Sequence, residues 1–437
     1  MLKIADFGRD FQQLKTDSNS MSQQMIHHEV LPNGLILVAQ VMPWLQSAAF
    51  TLAFPSGCRF DPADRQGLSN FTCEMAFRGG GGYSSRELVE ELEALGCDYY
   101  SSSGIYHSFF GGALPAENLY ASLEMYVKSI GHADLPVDQL EDGRNVCIRE
   151  IEGLDDDLVG RTMLALRSRY YGQPFGRNAD GDMLGIQSIN EQDIRDYYQN
   201  FYQPDGMIIA VAGQCDWQKL KAHVLKLTEH WAARATPMPN ASGQQNGYHH
   251  IDHSSNQTHI GIAWPAAAFG SDEYYLNRAA IGVLSDGMSS RLFSEVREKR
   301  GLCYSVSASC HSIHNRGGVF AYSGTTTDSA QETLNVILAE ARKLSEGIEP
   351  QELDRLKVQF RSNLIMQQES CRSRVSSLVS DVFYLNRIRT LDEINDRINA
   401  LTVESVNAFL ESNPPGPFDV VTLGEKALEV EREISHS

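Results

Sequence analysis

The sequence predicts an α+β fold in which one sandwich-like α/β unit is built twice within a single chain. Short apolar runs of strand length alternate with longer stretches of helical periodicity along the 437 residues. A similar helix–turn–strand segment recurs near the end of each half, and a polar segment separates the halves. A chain of this length is also too long for one ordinary core, so several domains are expected.

The first half opens with turn chemistry followed by apolar runs. The segment 31–35, Leu-Pro-Asn-Gly-Leu, leads into an apolar run over 35–39, and a second run covers 48–54. Two such runs after a turn predict a hairpin that pairs them. Helical spacing of apolar residues then predicts helices over 66–77 and 84–95.

The second of these helices carries its own boundary signals. Ser84 suits its N-cap and Gly96 its C-terminal stop. Beyond it, alternation over 99–114 predicts strands. In the second half the same patterns predict one strand and two helices, over 259–264, 274–285 and 290–299.

The recurring segment indicates an internal duplication. Residues 188–213 and 400–424 each contain a helix-like stretch, an Asn- and Pro-containing turn and an apolar strand ending in glycine. The two glycines, Gly213 and Gly424, lie 211 residues apart, close to half the chain. The predicted organisation is an N-terminal extension, a first domain, a linker rich in Pro, Ala, Asn, Gln and Gly, and a second domain, over residues 1–24, 25–233, 234–247 and 248–437.

Composition excludes several classes of function. The 56 acidic residues outnumber the 37 basic ones, and a formal charge of -19 repels nucleic acid and anionic membrane surfaces. The eight cysteines are scattered without metal-binding spacing, so they are expected to be buried thiols in a reducing compartment. The N-terminal residues lack the features of a signal peptide, and no apolar run reaches the roughly 20 residues of a membrane span. The prediction is a cytoplasmic protein.

One predicted helix places a weakened metal motif on a single face. In the segment 67–77, Gly-Leu-Ser-Asn-Phe-Thr-Cys-Glu-Met-Ala-Phe, Asn70 and Glu74 are four residues apart, with Cys73 before Glu74. This segment resembles the helix that carries the inverted HxxEH motif in peptidases of the insulinase/pitrilysin family, which includes the mitochondrial processing peptidases. In that motif two His bind zinc and the Glu serves as general base. All three positions are substituted here.

The resemblance also assigns the family's third zinc ligand, a Glu on a later helix, to Glu150 in Asn-Val-Cys-Ile-Arg-Glu-Ile. An amide oxygen is a poor substitute for an imidazole, and a thiol at Cys73 cannot replace the general base. No catalytic zinc is therefore predicted in this chain. Two alternatives stay open: Asn70, Glu74 and Glu150 could hold Mg²⁺ or Ca²⁺, or Cys73 could be a nucleophile, although no His partner can be assigned to it. Otherwise the site is vestigial, with local hydrogen bonds.

Other candidate clusters favour structural roles. In the segment 249–253, His-His-Ile-Asp-His, the alternation of a strand would place His249 and His250 on opposite faces. These histidines are therefore predicted to be surface residues and not metal ligands. His311 and His314 are predicted to be loop or strand-end residues. The glycines at 79–82 lack the context of a phosphate loop and predict a flexible turn.

The second half keeps another signature of the same family. The run from Gly287 to Val306, Gly-Met-Ser-Ser-Arg-Leu-Phe-Ser-Glu-Val-Arg-Glu-Lys-Arg-Gly-Leu-Cys-Tyr-Ser-Val, contains Arg297 and Tyr304 seven residues apart. In the family an Arg and a Tyr at these positions bind the substrate backbone near the scissile bond, which a guanidinium and a phenol can do. Since an R-x6-Y spacing alone is common, a solvated helix arginine and an ordinary strand tyrosine are the alternative.

The resemblance extends from about Leu31 to Gly424 and implies an assembly. It implies two mitochondrial-processing-peptidase-like domains forming half of a clamshell, whose partner is a homologous HxxEH-bearing subunit that carries the zinc. This chain would then contribute Arg297 and Tyr304 to peptide binding in a heterodimer, with the peptide adding to a sheet edge of the partner. The alternatives are a structural or regulatory scaffold without a role in proteolysis, and an autonomous peptidase with unusual ligands. A homodimer of the isolated chain stays possible.

Overall fold

The computed structural model describes residues 24–231, 246–313 and 315–430. The predicted N-terminal extension, except Gln24, and nearly all of the predicted linker lie outside these residues, and the domain boundaries stay predictions. In the first half the strands are β1 Met25–Val30, β2 Ile36–Val41, β3 Ser47–Phe54, β4 Gly79–Gly80, β5 Tyr83–Ser84, β6 Asp98–Ser103, β7 Ser108–Pro115 and β8 Ile208–Gly213. Its helices are α1 Leu68–Ala76, α2 Ser85–Ala94, α3 Leu119–Gly131, α4 Leu140–Asp156, α5 Leu158–Tyr171, α6 Met183–Ser188, α7 Glu191–Phe201 and α8 Trp217–Thr228.

The second half has a similar succession of elements. Its strands are β9 Tyr248–Asp252, β10 Gln257–Ala266, β11 Cys303–Ile313, β12 Arg316–Thr326 and β13 Asp419–Gly424. Its helices are α9 Tyr274–Ser285, α10 Ala330–Arg342, α11 Pro350–Gln368, α12 Cys371–Leu385, α13 Leu391–Ala400 and α14 Val403–Ser412. A π-helical turn, Phe293–Glu298, lies within the predicted helix 290–299.

The first sheet has the strand order β1-β2-β8-β3-β7-β6. The predicted hairpin between the apolar runs 35–39 and 48–54 is wrong, because β8 lies between β2 and β3 and pairs with both. The turn at 31–35 instead joins β1 to β2 as an antiparallel pair. Every residue of β8 is buried, which suits a central strand whose two faces are both covered.

The second sheet repeats this arrangement. Its order, β9-β13-β10-β12-β11, matches β2-β8-β3-β7-β6 strand for strand. The pairs β2-β8 and β9-β13 are parallel, and the other pairs of both sheets are antiparallel. The predicted α+β fold with two duplicated units is confirmed, and the strands that end in Gly213 and Gly424 occupy equivalent central positions.

The two halves exchange one helix each. Helix α12 of the second half packs on β3 and β8 of the first sheet, where Leu378 is fully buried against residues such as Ala210. Helix α5 of the first half packs in the same manner on β10 and β13, with Leu166 fully buried. Each sheet therefore has a core on one face that includes side chains from the other half of the chain.

Helix α1, which carries the substituted motif, is fixed at its start by Asp61. This carboxylate accepts hydrogen bonds from the backbone N–H groups of Gly67 and Ser69 at 2.8 and 2.9 Å, so it satisfies donors that the first helical turn leaves free. Gly67 has φ +98°, a conformation that favours glycine. Phe71 and Met75 are buried in the core of the first half.

Helix α2 begins with the predicted Ser84 N-cap, which forms a reciprocal capping box with Glu87. Just before it, the glycines at 79–82 form the tight β4–β5 hairpin. A side chain at Gly80 would meet the backbone of Ser129 at 2.3 Å, whereas one at Gly82 would meet nothing within 4 Å, so the predicted turn is present and is closely packed at Gly80. No helix among the described residues is long and apolar enough to cross a membrane.

Candidate functional site

Helices α1 and α4 bring two of the predicted site residues together. The side-chain amide of Asn70 donates a hydrogen bond from Nδ2 to Oε2 of Glu150 at 2.8 Å. The same nitrogen lies 3.9 Å from Sγ of Cys147, one turn before Glu150. Glu150, which the family resemblance assigned to the site, is thus brought to Asn70 by direct contact between the two helices.

Cys73, on the same helix as Asn70, is closed off from solvent. Its side chain is 2% exposed. Burial raises the pKa of its thiol well above the ordinary value, and the nearby carboxylates of Glu74 and Glu150 add to the effect. The thiol is therefore protonated at neutral pH, whereas a nucleophilic cysteine requires a thiolate.

Glu74 contacts an arginine four residues later in the chain, just beyond the end of α1. Its Oε1 accepts hydrogen bonds from Nε and Nη2 of Arg78 at 2.9 and 2.7 Å. Arg78 also donates to Oε1 of Gln139 at 3.4 Å. The carboxylate that the resemblance assigns to the second imidazole position is thereby engaged in an ion pair.

Glu150 lies among further acidic groups. Burial raises the pKa of its carboxyl, the hydrogen bond from Asn70 lowers it, and the charges of Asp180 and Glu74 raise it again. Burial likewise raises the pKa of Asp180. The sequence analysis did not assign Asp180 to the site; the only local signal is its position in the Asp- and Gly-containing loop 178–182.

The donors at this site do not form a metal cage. Within residues 24–231, 246–313 and 315–430, no group of three or more His, Cys, Asp or Glu side chains is arranged to hold a metal ion. Asn70 presents its amide donor to Glu150, whereas Mg²⁺ or Ca²⁺ would require its carbonyl oxygen. The two side chains satisfy one another through a hydrogen bond.

Arg297 and Tyr304 lie together at the border of the second sheet. Arg297 belongs to the π-helical turn Phe293–Glu298, and Tyr304 belongs to the edge strand β11. The register of β11 against β12 shifts between Cys303 and Ser305, so Tyr304 occupies a β-bulge. Bulges redirect a side chain, and Tyr304 is 84% exposed.

The two side chains are stacked on one another. The guanidinium of Arg297 lies 4.8 Å from the ring centroid of Tyr304 and 4.8 Å from that of Phe293. Within the described part of the chain, Arg297 forms no ion pair, and the phenol of Tyr304 has no hydrogen-bond partner. No hydrogen bond or ring contact joins this pair to Asn70 or Glu150 in these same residues.

Three of the histidines singled out from the sequence lie in strands of the second sheet. His249 is exposed while its neighbour His250 contacts Oγ1 of Thr422 at 2.9 Å, as alternation along β9 predicts. His311 lies within β11, where its Nδ1 is 2.9 Å from the hydroxyl of Tyr171, and burial lowers its pKa to about 4. His314 lies outside the described residues.

All eight cysteines lie in the described residues and are unpaired. Five of them are buried, as predicted: Cys58, Cys73, Cys97, Cys147 and Cys371. Cys215, Cys303 and Cys310 are only partly buried, so the prediction is too strong for these three.

Two family models match separate parts of the chain. The model described as Insulinase (Peptidase family M16) matches residues 38–178, and the one described as Peptidase M16 inactive domain matches residues 188–360. Among curated proteins, the chain is 28% identical to an uncharacterized zinc protease of Bacillus subtilis over 88% of this chain and 95% of the relative. It is 22% identical to mitochondrial-processing peptidase subunit beta of Saccharomyces cerevisiae, over 88% of each chain.

Solved structures share the fold at low sequence identity. A peptidase M16 inactive domain from Pseudomonas fluorescens has a TM-score of 0.84 at 20% identity, covering 93% of this chain and 100% of that one. A chain of complex III2 from Candida albicans has a TM-score of 0.80 at 17% identity, covering 91% of this chain and 96% of that one.

Proposed function

Since models of one family match both halves of it, the chain belongs to the insulinase family, peptidase family M16, and on this premise we propose that it is the zinc-less subunit of a heterodimeric peptidase. Its partner is a homologous subunit that bears an intact HxxEH motif and the zinc. This chain supplies Arg297 and Tyr304 to the bound peptide. Its three-dimensional fold and its relatives support the family, whereas the division of labour is our inference.

The donor set at the motif helix supports the absence of zinc catalysis by this chain. A catalytic zinc needs three protein ligands and an open position, and imidazoles provide much of its affinity. Here an amide donor faces Glu150 at 2.8 Å, the carboxylate of Glu74 is paired with Arg78, and the neutral thiol of Cys73 is buried. These groups do not fit a zinc ion.

The arrangement of Arg297 and Tyr304 is the observation that carries a role in peptide binding. Arg297, which has no ion pair among the residues that the structure describes, stacks on a tyrosine that is 84% exposed and presents donors at a sheet edge. A guanidinium and a phenol can donate to peptide carbonyl oxygens and stabilise charge on them. A merely structural pair would be expected to engage partners within the protein.

The decisive experiment mixes this chain with a zinc-bearing homologue from the same organism. We expect peptidase activity that neither chain shows alone. Arg297→Ala and Tyr304→Phe should lower kcat/KM of the mixture by about 10- to 100-fold, as expected when a charged or polar contact to the reacting region is lost. Arg300→Ala is the matched control, since Arg300 is exposed and pairs with Glu295, and it should leave the activity unchanged.

Full activity of the two variants in the mixture would rule out the donated-residue role and favour the alternative, a structural or regulatory scaffold. Stoichiometric zinc in the purified chain, together with chelator-sensitive cleavage by the chain alone, would instead favour an autonomous peptidase. With eight unpaired thiols in the described residues, we place the complex in a reducing compartment, the cytoplasm.

A further inference from the structure

The edge of the second sheet beside Tyr304 lacks the usual protection. Four strands, β1, β6, β9 and β11, lie at the edges of the two described sheets. Strand β11 is the longest of them, with 11 residues, and the only one without an Asp, Glu, Lys or Arg. Charged residues on edge strands prevent pairing with other chains, so this edge is open to an added strand.

Two hydrogen bonds show which backbone groups of β11 face outward. The N–H of Ala308 donates to Oγ of Ser285 at 2.6 Å, and the carbonyl of Ser312 accepts from the hydroxyl of Tyr384 at 2.9 Å. Neither bond involves the neighbouring strand β12. In an antiparallel pair, the backbone N–H and C=O groups of successive residues point alternately towards the neighbouring strand and away from it. Val306 is two residues before Ala308, so its N–H and C=O also face outward.

The open stretch is short and has defined ends. On one side, the Ser285 hydroxyl already occupies the N–H of Ala308. On the other side, the bulge at Tyr304 interrupts the register. Between them Ser305 and Ser307 are exposed, and Val306 presents both a donor and an acceptor without a partner in the described residues.

We propose that the main chain of Val306 pairs with an extended peptide and forms a third anchor beside Arg297 and Tyr304. The inference rests on the proposed function, because these two side chains lie at the same end of the edge. Residues 304 and 306 are about 7 Å apart along the strand, the spacing of alternate residues in an added peptide strand. The ligand is an unfolded peptide recognised through its backbone, and the paired peptide residue must have a free N–H, which excludes proline there.

Binding of a fluorescein-labelled 12-residue alanine–serine peptide to the full chain tests this pairing by fluorescence anisotropy. Val306→Pro removes the outward N–H, and a proline is tolerated where an edge N–H faces solvent. We expect about fivefold to tenfold weaker binding. Val306→Ala keeps the N–H and is the matched control, with affinity within twofold of wild type. A peptide of the same sequence that is N-methylated throughout tests the same pairing on the unaltered protein and should not bind.

The outcomes separate the two proposals. If Val306→Pro and the N-methylated peptide bind like their controls while Arg297→Ala and Tyr304→Phe weaken binding, the backbone anchor is wrong and the proposed function stands. If the wild-type chain binds no peptide at millimolar concentration, the backbone anchor is overturned, and if Arg297→Ala and Tyr304→Phe also leave the activity of the mixture unchanged, both proposals are overturned.

Discussion

At the scale of single residues, a hydrogen bond joins Asn70 and Glu150 at the place to which the family resemblance assigns metal ligands. The amide N–H of Asn70 stabilises the charged form of the Glu150 carboxyl and lowers its pKa, although it supplies no positive charge. The neighbouring carboxylate of Glu74 forms an ion pair with Arg78. The local chemistry is thus consistent with a helix pair that is stable without metal.

If only the missing imidazoles prevent zinc binding, restoring them should create a site. The double variant Asn70→His and Glu74→His places two imidazoles at i and i+4 beside Glu150, the ligand set of a zinc site with an open position. We expect about one zinc per chain by metal analysis after gel filtration, and a higher Tm when zinc is added.

Asn70→Ala combined with Glu74→Ala removes the same side chains without adding ligands and should retain no zinc. If the histidine variant is folded and also retains none, Glu150 is not in the position that the family resemblance assigns to the third ligand.

Asp61 predicts a pH dependence of stability. Burial raises the pKa of its carboxyl to about 7, above the ordinary value of an unfolded chain. The folded state therefore binds a proton more tightly, so the contribution of this group to stability is fully present below the ordinary pKa of about 4 and is lost progressively as the pH rises to about 7. Asp61→Asn should flatten the dependence of the unfolding free energy on pH by roughly 1 kcal/mol per unit between pH 5 and 7.

Denaturant unfolding at several pH values measures this difference. Asp64→Asn is the control, because the Asp64 side chain is 75% exposed and should leave the slope unchanged. If the unfolding free energies of wild type and Asp61→Asn change with pH in the same way, Asp61 is charged in the folded state at neutral pH.

The sequence could locate some of these residues and not others. Asn70 and Glu150 were found because their positions follow a motif, and the structure brings them into contact. Asp180 could not be found, since its proximity to Glu150 depends on how a loop folds over α4. The bulge at Tyr304 also leaves no local signal, because it arises from a shift in pairing with a strand more than ten residues away.

At the scale of elements, local sequence signals predicted the positions of helices better than they predicted which strands pair. The Ser84 cap and the helical spacing after it fix α2 through contacts within one turn. The hairpin between 35–39 and 48–54 was wrong because β8, more than 150 residues later, takes the place between them. Adjacent apolar runs indicate strands but carry no information about a third strand that pairs with both.

The exchanged helix α12 gives a prediction for the first sheet. Leu378→Ala removes a fully buried side chain from the contact with β3 and β8, and large-to-small changes in such positions cost about 2–5 kcal/mol. Although Leu378 lies in the second half, amide hydrogen exchange should rise in β8, Ile208–Gly213.

Ser376→Ala lies on the same helix at an exposed position and should change the unfolding free energy by less than about 0.5 kcal/mol. If Leu378→Ala speeds exchange only in the second half, the packing of α12 does not support the first sheet.

At the scale of the whole molecule, the exchange of α5 and α12 couples the two halves through their cores. A protease site inserted between Asn240 and Ala241, in the predicted linker and outside the described residues, allows the chain to be cut there. The cut halves should stay associated and elute from gel filtration like the uncut chain of 48.6 kDa, because separation would expose the apolar faces that α5 and α12 cover. Elution of two smaller species would show that the covalent connection is required.

The exchange of helices also constrains how such a chain could have arisen. An ancestral polypeptide of half this length, holding one sheet and one such helix, would have left its own sheet bare on the side that a helix now covers. Two identical copies that lent each other this helix around a twofold axis would have solved the problem, in the manner of domain swapping. Fusion of the two genes would then have joined the copies into one chain.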